Sequence, residues 1–250
     1  ALPKVDTSSM ADFTKVEDGE TALTITGADF AITFDKTTGA LSSYQVKGEE
    51  YLAEPLEPNF WRAETDNDVK TSHDTQWKDA VSDASVTSFS VNQEGKQVYI
   101  TVGLKLNTKG NSMYTATYIV YGDGSVVVNS TLKPDSSLNP LLRVGMRLQM
   151  TPGFENMTWY GRGPSDSYWD RKAGYDVGVY ECTVSEQFTN FQYTQETGNK
   201  TDVRWMALTN EEGNGLLFDA GDMALEMSAL HNTQVDLATA KHPYAQKGTE

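Results

Sequence analysis

Five apolar side chains at every second position, Val98, Ile100, Val102, Leu104 and Leu106, constrain this chain more than any other feature. Period-two alternation lines one face of a strand, whereas a helix repeats every 3.6 residues and would scatter the same five side chains around its circumference. The signature recurs downstream. Tyr114, Ala116, Tyr118 and Val120 carry it before the turn Gly122-Asp-Gly124, Val126, Val128 and Leu132 carry it after, and Leu142, Val144, Met146, Leu148 and Met150 follow. The spacing predicts an antiparallel meander in which the first and last series each bury one face.

Upstream, Leu23 and Ile25, then Phe30, Ile32 and Phe34, alternate with polar residues. The stretch Asp35-Lys-Thr-Thr-Gly39 supplies a turn before a further strand over 41–46. Near the other end, Val203, Trp205 and Ala207 alternate into the turn-forming run Asn210 to Gly215, residues 216–220 return, and 223–230 reads as another strand. Two short helices are expected. One spans Ser72 to Val81 with Ser72 as its N-cap, and the other starts at Thr233, whose pairing with Asp236 three positions on resembles a capping box, and runs to about Lys241. Strands outnumber helices so heavily that the predicted class is all-β, mostly antiparallel, with two sheets packed as a sandwich. The one Pro- and Ser-bearing gap, Lys133 to Pro140, is loop-sized, so residues 1–250 read as a single domain.

Thirty-five acidic against 20 basic residues give a formal charge of -15. Such a charge repels nucleic acid and anionic membrane surfaces, while a neutral, hydroxyl-rich ligand is compatible with it. Cys182 is the only cysteine, which excludes an intrachain disulfide and a cysteine metal cluster and leaves the redox compartment, and hence the localisation, open. No window is apolar over a length that spans a bilayer. The opening Ala1-Leu-Pro-Lys and the closing Lys247-Gly-Thr-Glu250 read as the ends of an excised piece of a longer protein.

The chemistry is sparser than the charge suggests. Glycoside hydrolysis needs two carboxyl groups about 5–9.5 Å apart. Asp66/Asp68, Asp166/Asp170, Glu186/Glu196 and Asp219/Asp222 are candidate pairs, but pairs arise by chance among 35 acidic residues and are ordinarily solvated or salt-bridged. His73, His231 and His242 are too far apart in sequence for a metal motif. The run Asp66-Asn67-Asp68 has calcium-type oxygens without the Gly and Glu of an EF-hand loop.

Two stretches combine flat aromatic faces with planar hydrogen-bonding groups, which is what a sugar ring requires. They are Phe60-Trp61-Arg62 with Asp66-Asn67-Asp68, and Tyr168-Trp169-Asp170-Arg171. For Trp159, Trp205 and the Asp202/Arg204 pair a core and loop-fixing role is favoured, and the pairs Asp170/Arg171 and Asp202/Arg204 are expected to tie the aromatic-rich loop 159–205 to the sheet. For Trp61 to Asp68 both readings stay open.

The runs Gly161-Arg-Gly-Pro164 with Tyr168, Asp170 and Arg171, and Gln195-Glu196 with Gly198-Asn-Lys200 and Asp202-Val-Arg-Trp205, resemble the C-terminal small-chain domain of family 2 β-galactosidases. So does Asn59-Phe-Trp-Arg-Ala-Glu-Thr-Asp-Asn-Asp68, in which Glu64 replaces the family's usual Pro. Ser167 and Trp169 are further departures, standing where the family often has Asn and Pro.

The resemblance implies a β-supersandwich of the galactose mutarotase-like type, truncated at its C-terminal end, from a multidomain retaining β-galactosidase whose two catalytic glutamates lie on a TIM barrel outside this chain. It implies no catalytic residue and no cofactor here, a divalent cation such as magnesium in the parent enzyme, and, as partners, the other domains of the same polypeptide, a β-galactoside and further copies in a homo-oligomer. It also places the loop after the Asp-Asn-Asp run beside the sugar site. The candidate substrate-binding residues are therefore Trp61, Arg62, Asp66, Asn67, Asp68, Lys70, Ser72 and His73, with Trp61 and Arg62 as a fixed base and 69–73 as a mobile edge. On this reading replacement of Arg62 alters kinetics and spares stability. A free-standing carbohydrate-binding module and an aldose 1-epimerase using His231 with Glu196 are the alternatives.

Overall fold

The structure is a computed structural model that describes residues 5–71, 73 and 75–240. It is an all-β sandwich with antiparallel pairing throughout the described strands and one short α-helix. The chain divides into two compact units, one of Ala1–Trp61 and Ser72–Thr151, the other of Arg62–Thr71 and Pro152–Glu250.

The first unit holds β1 (Lys15–Asp18), β2 (Ala22–Thr26), β3 (Phe30–Asp35), β4 (Leu41–Val46), β5 (Glu49–Glu50), β6 (Leu52–Asn59), β7 (Ser85–Glu94), β8 (Gln97–Lys105), β9 (Met113–Tyr121), β10 (Val126–Lys133) and β11 (Gly145–Met150). One sheet runs β1-β2-β3-β4-β6-β11, with β5 on β4, and the other runs β10-β9-β8-β7. Their apolar faces meet. Leu23, Ile25, Ile32 and Phe34 of the first sheet and Val98, Ile100 and Val120 of the second are wholly buried, and the rings of Phe34 and Tyr118 touch edge-on at 5.0 Å. Gly39 ends the β3–β4 turn at φ +74°, and a Cβ there would lie 2.5 Å from Val102 Cγ1. Both the turn and the close approach of the sheets require glycine at this point.

The Val98 to Leu106 and Tyr114 to Val120 series are buried as the alternation predicts. The Leu142 to Met150 series is not. β11 leaves the meander and pairs with β6 of the opposite sheet, and it begins only at Gly145, so Val144 precedes it and is 63% exposed while Met146, Leu148 and Met150 are half-buried. As an edge strand with a single partner it lacks the neighbour that would cover the expected face. β7 carries no clean alternation because a bulge between Val86 and Ser88 breaks the count. The helix expected over 72–81 is a single 3-10 turn, Thr75–Trp77, held by the buried Trp77, whose indole N–H donates to Asn139 O at 3.2 Å. Its expected N-cap, Ser72, lies outside the described residues.

The second unit holds β12 (Asn156–Gly163), β13 (Asp176–Thr183), β14 (Lys200–Val203), β15 (Trp205–Thr209), β16 (Gly215–Asp219), β17 (Leu225–Met227) and α1 (Gln234–Thr239). β13-β12-β15-β16 form one sheet and β14-β17 a ribbon. Met157, Trp159, Val184, Val203 and Met206 make its core, with Tyr180 stacked on Trp159 at 5.4 Å. Val203 and Trp205 belong to different strands, contrary to the single alternating run expected. A bend at Arg204 interrupts the period, so Met206 is buried in register with Trp159 while the half-buried Trp205 is in register with Tyr160. The 223–230 strand shortens to the three residues of β17. The capping box is present: Thr233 Oγ1 accepts from Asp236 N at 3.1 Å, and Thr233 N donates to Asp236 Oδ2 at 2.8 Å.

Candidate functional site

The Asp-Asn-Asp run divides by chemistry. Asp68 is buried and its carboxylate accepts four hydrogen bonds: Arg62 Nη2 to Oδ1 at 3.0 Å, and Arg62 Nε, Thr65 N and Thr65 Oγ1 to Oδ2, each at 3.0 Å. Burial pushes its pKa up, but the bonds from Arg62 and Thr65 and the guanidinium charge outweigh that and hold it below the usual carboxylate range. Arg62 Nη1 donates to Glu196 Oε2 at 3.2 Å, with Glu196 fully buried. Ala63 is pinned on both sides, its N–H donating to Gln234 Oε1 at 2.8 Å and its carbonyl accepting from Glu196 N at 3.3 Å. Arg62 and Asp68 are thus joined into a buried tie that fixes the start of the segment.

Asp66, Asn67, Val69, Lys70 and Thr71 are exposed. Asn67 Nδ2 donates to Asp170 Oδ2 at 2.7 Å, which links this stretch to the loop between β12 and β13. Trp61 and His73 belong to the first unit, and Ser72 lies outside the described residues. Trp61 is buried with Lys78 Nζ 4.9 Å from its ring centroid, and His73 is half-buried.

The loop 164–175 is held by arginine–carboxylate bonds, but with partners other than the sequence neighbours. Arg171 binds Asp166 at 3.1 Å instead of Asp170, and Asp202 takes Arg162 at 2.6 Å and Lys172 at 2.9 Å. Arg204 donates to the carbonyl of Asp202, not its carboxylate. Asp170 and Arg171 share the single 3-10 turn Trp169–Arg171, where side chains at successive positions do not face each other, so neighbours in sequence reach different partners. Two guanidiniums approach the Tyr168 ring, that of Arg171 at 4.5 Å and that of Arg62 at 6.0 Å from its centroid. Sequence reasoning missed Glu196, Thr65 and Asp166 as members of this network. Contacts such as Arg62 to Glu196, separated by 134 positions, leave no local signal.

These ties absorb most candidate acids. Glu186 accepts from Thr183 N at 2.8 Å, and Asp219 accepts from Gly221 N at 2.7 Å. His231 Nε2 lies 2.9 Å from Glu155 Oε2, and Glu196 Oε2 accepts from Arg62 Nη1 at 3.2 Å. Among the described residues no group of three His, Cys, Asp or Glu converges to hold a metal ion. Both oxygens of Asp68 are directed at Arg62 and Thr65 instead, so the Asp-Asn-Asp run does not fit a cation.

Glu196, Thr197, Asn199, Lys200 and Thr201 form a continuous buried polar row. Lys200 is 1% exposed, with Nζ 3.4 Å from Gly198 O and 5.1 Å from the Trp159 ring centroid. Desolvation drives its pKa from 10.5 down to about 8, against the favourable charge of Asp166. Between those two values the unfolded chain binds the extra proton, so stability rises with pH across pH 8–10.5, by roughly 3 kcal/mol. Lys200→Met should be more stable than wild type at pH 7 and lose this rise, as urea unfolding at several pH values would show. Equal pH slopes for the two proteins would contradict the assignment.

Comparison with known proteins places the arrangement. The family described as "Beta galactosidase small chain" matches residues 26–248. The chain is 37% identical over 247 residues to a beta-galactosidase of Priestia megaterium, covering 98% of this chain and 24% of that protein. It is 31% identical over 230 residues to the beta-galactosidase of Lactobacillus delbrueckii subsp. bulgaricus, and 28% over 236 residues to that of Halalkalibacterium halodurans, covering 91% and 92% of this chain and 23% of each relative. The chain therefore spans about a quarter of the length of these curated relatives. With the matched region covering nearly all of both units, the chain belongs to the beta galactosidase small chain family.

Proposed function

We propose that the polypeptide carrying this chain is a retaining glycoside hydrolase of family 2 that cleaves terminal β-galactosides on a TIM barrel outside these residues. This domain packs on that barrel and borders the sugar site through the exposed residues of Arg62–Thr71. The observation that carries the reading is the alignment of almost the whole chain with proteins named beta-galactosidases. The geometry agrees with a bordering role: a buried Arg62–Asp68 tie presents Asp66, Asn67 and Lys70 to solvent, and the internal ties of Glu186, Glu196 and Asp166 leave those acids unsuited to bond cleavage. A divalent cation such as magnesium used by the parent is held by residues elsewhere, and the parent assembles as a homo-oligomer.

The full-length polypeptide is expected to turn over a chromogenic β-galactoside, and the 250-residue chain alone is expected not to. Turnover by the isolated chain that disappears when one of its own carboxylates is replaced would overturn this division of labour. A full-length protein inert toward β-galactosides would overturn the activity itself.

A further inference from the structure

We propose that Asn214 is a site of spontaneous modification, at which the backbone nitrogen of Gly215 attacks the Asn214 side-chain amide and water converts the resulting ring to aspartate and isoaspartate. Asn214-Gly215 is the only Asn-Gly pair in the sequence. At any other asparagine the side chain of the following residue shields the attacking nitrogen and restricts its rotation. Glycine does neither.

The fold leaves both reacting groups open. Asn210 N donates to the Asn214 carbonyl at 2.8 Å and Gly213 N to the Asn210 carbonyl at 3.1 Å, with Gly213 at φ +80°, so the β15–β16 hairpin closes through a three-residue loop with a glycine bulge. The next register pair is Thr209 with Gly215. Bonded and open pairs alternate along an antiparallel ladder, so the Gly215 N–H, one step beyond the bonded Asn210–Asn214 pair, points away from β15. β16 is the edge of its sheet, and no strand lies on that side. Asn214 is exposed, and its Nδ2 makes a long bond, 3.4 Å, to Oε2 of the equally exposed Glu212. The glycine is also required by the pairing itself, because a Cβ at 215 would overlap the Leu208 carbonyl oxygen.

The chemistry needs only water and is independent of the galactosidase reading. Solvent hydroxide takes the Gly215 amide proton, the nitrogen bonds to Asn214 Cγ, and the Cγ–Nδ2 bond breaks with release of ammonia, leaving a five-membered succinimide. Water then opens one of the two ring C–N bonds. Cleavage at Cγ gives aspartate, whereas cleavage at the main-chain carbonyl gives isoaspartate, whose backbone runs through Cβ and Cγ and is one atom longer. Either product sets a carboxylate beside Glu211 and Glu212. The isoaspartate also strains the register in which Leu208 faces Leu216, on a strand with a single partner.

The test incubates the full-length polypeptide at neutral and at mildly alkaline pH and compares its peptides, by chromatography and mass spectrometry, with those of an unincubated sample. The peptide containing Asn214 should convert from amide to acid about tenfold faster than the one containing Asn111, which is exposed but followed by Ser112. It should yield isoaspartate and aspartate as two separate species, and faster at the higher pH. Asn214→Gln, whose longer side chain would have to close a six-membered ring, should stay unmodified under the same conditions. Conversion at Asn214 no faster than at Asn111 overturns the site. Aspartate as the sole product, which marks direct hydrolysis of the side chain, overturns the attack by Gly215.

Discussion

Val102→Asp is expected to abolish cooperative folding of the first unit. Val102 is 1% exposed in the centre of β8, registered against Ala116 of β9 and Phe89 of β7, and faces Gly39 across the sandwich. The close approach at Gly39 leaves little room for solvent. A carboxylate there protonates instead of remaining charged, and even a neutral, unbonded acid in an apolar core costs about 2–7 kcal/mol, against a total stability of about 5–15 kcal/mol for a typical domain. Val144→Asp is the matched control, because Val144 is exposed and surface changes usually stay within about 0.5 kcal/mol. Circular dichroism with urea titration compares the two. A Val102→Asp protein with the wild-type midpoint would show that the two sheets do not share this core.

Arg62→Met is expected to destabilise the second unit by about 3–5 kcal/mol, the usual consequence of removing one member of a buried charged network. The change deprives Asp68 and Glu196 of their guanidinium while both carboxyls stay buried, and it removes the two-pronged bond that closes the 62–68 turn. This reverses the expectation, drawn from the sequence, that Arg62 could be replaced without effect on melting. Lys70→Ala, at an exposed position of the same segment, should leave the unfolding midpoint within experimental error. If Arg62→Met and Lys70→Ala melt together, the network contributes nothing to stability and Arg62 is available to a ligand.

What could be read from the sequence follows the range of each interaction. Strands such as β3 and β8 are set by side chains two positions apart, and the capping box of α1 by residues three apart, so all were legible. The alternation failed where the backbone changes phase, at the β7 bulge and at the bend at Arg204, and where an edge strand lacks a second neighbour, as in β11. In the candidate segment the residue types were legible and their roles were not. Asp66 and Asp68 look equivalent in sequence, yet one is exposed and the other accepts four bonds, a distinction made by Thr65 and by Arg62 with its distant partner Glu196.

The pairing of β11 with β6 also decides where this polypeptide can be cut. The four-stranded sheet ends at Lys133, and a boundary placed there would seem to keep two finished sheets. It would instead strip β6 of the neighbour registered from Leu52 to Asn59, including the Arg147–Glu57 pair, and turn an interior strand into an open edge that invites association between copies. Expression boundaries and insertion points for the first unit therefore belong after Thr151, whose backbone N–H still bonds the carbonyl of Tyr51.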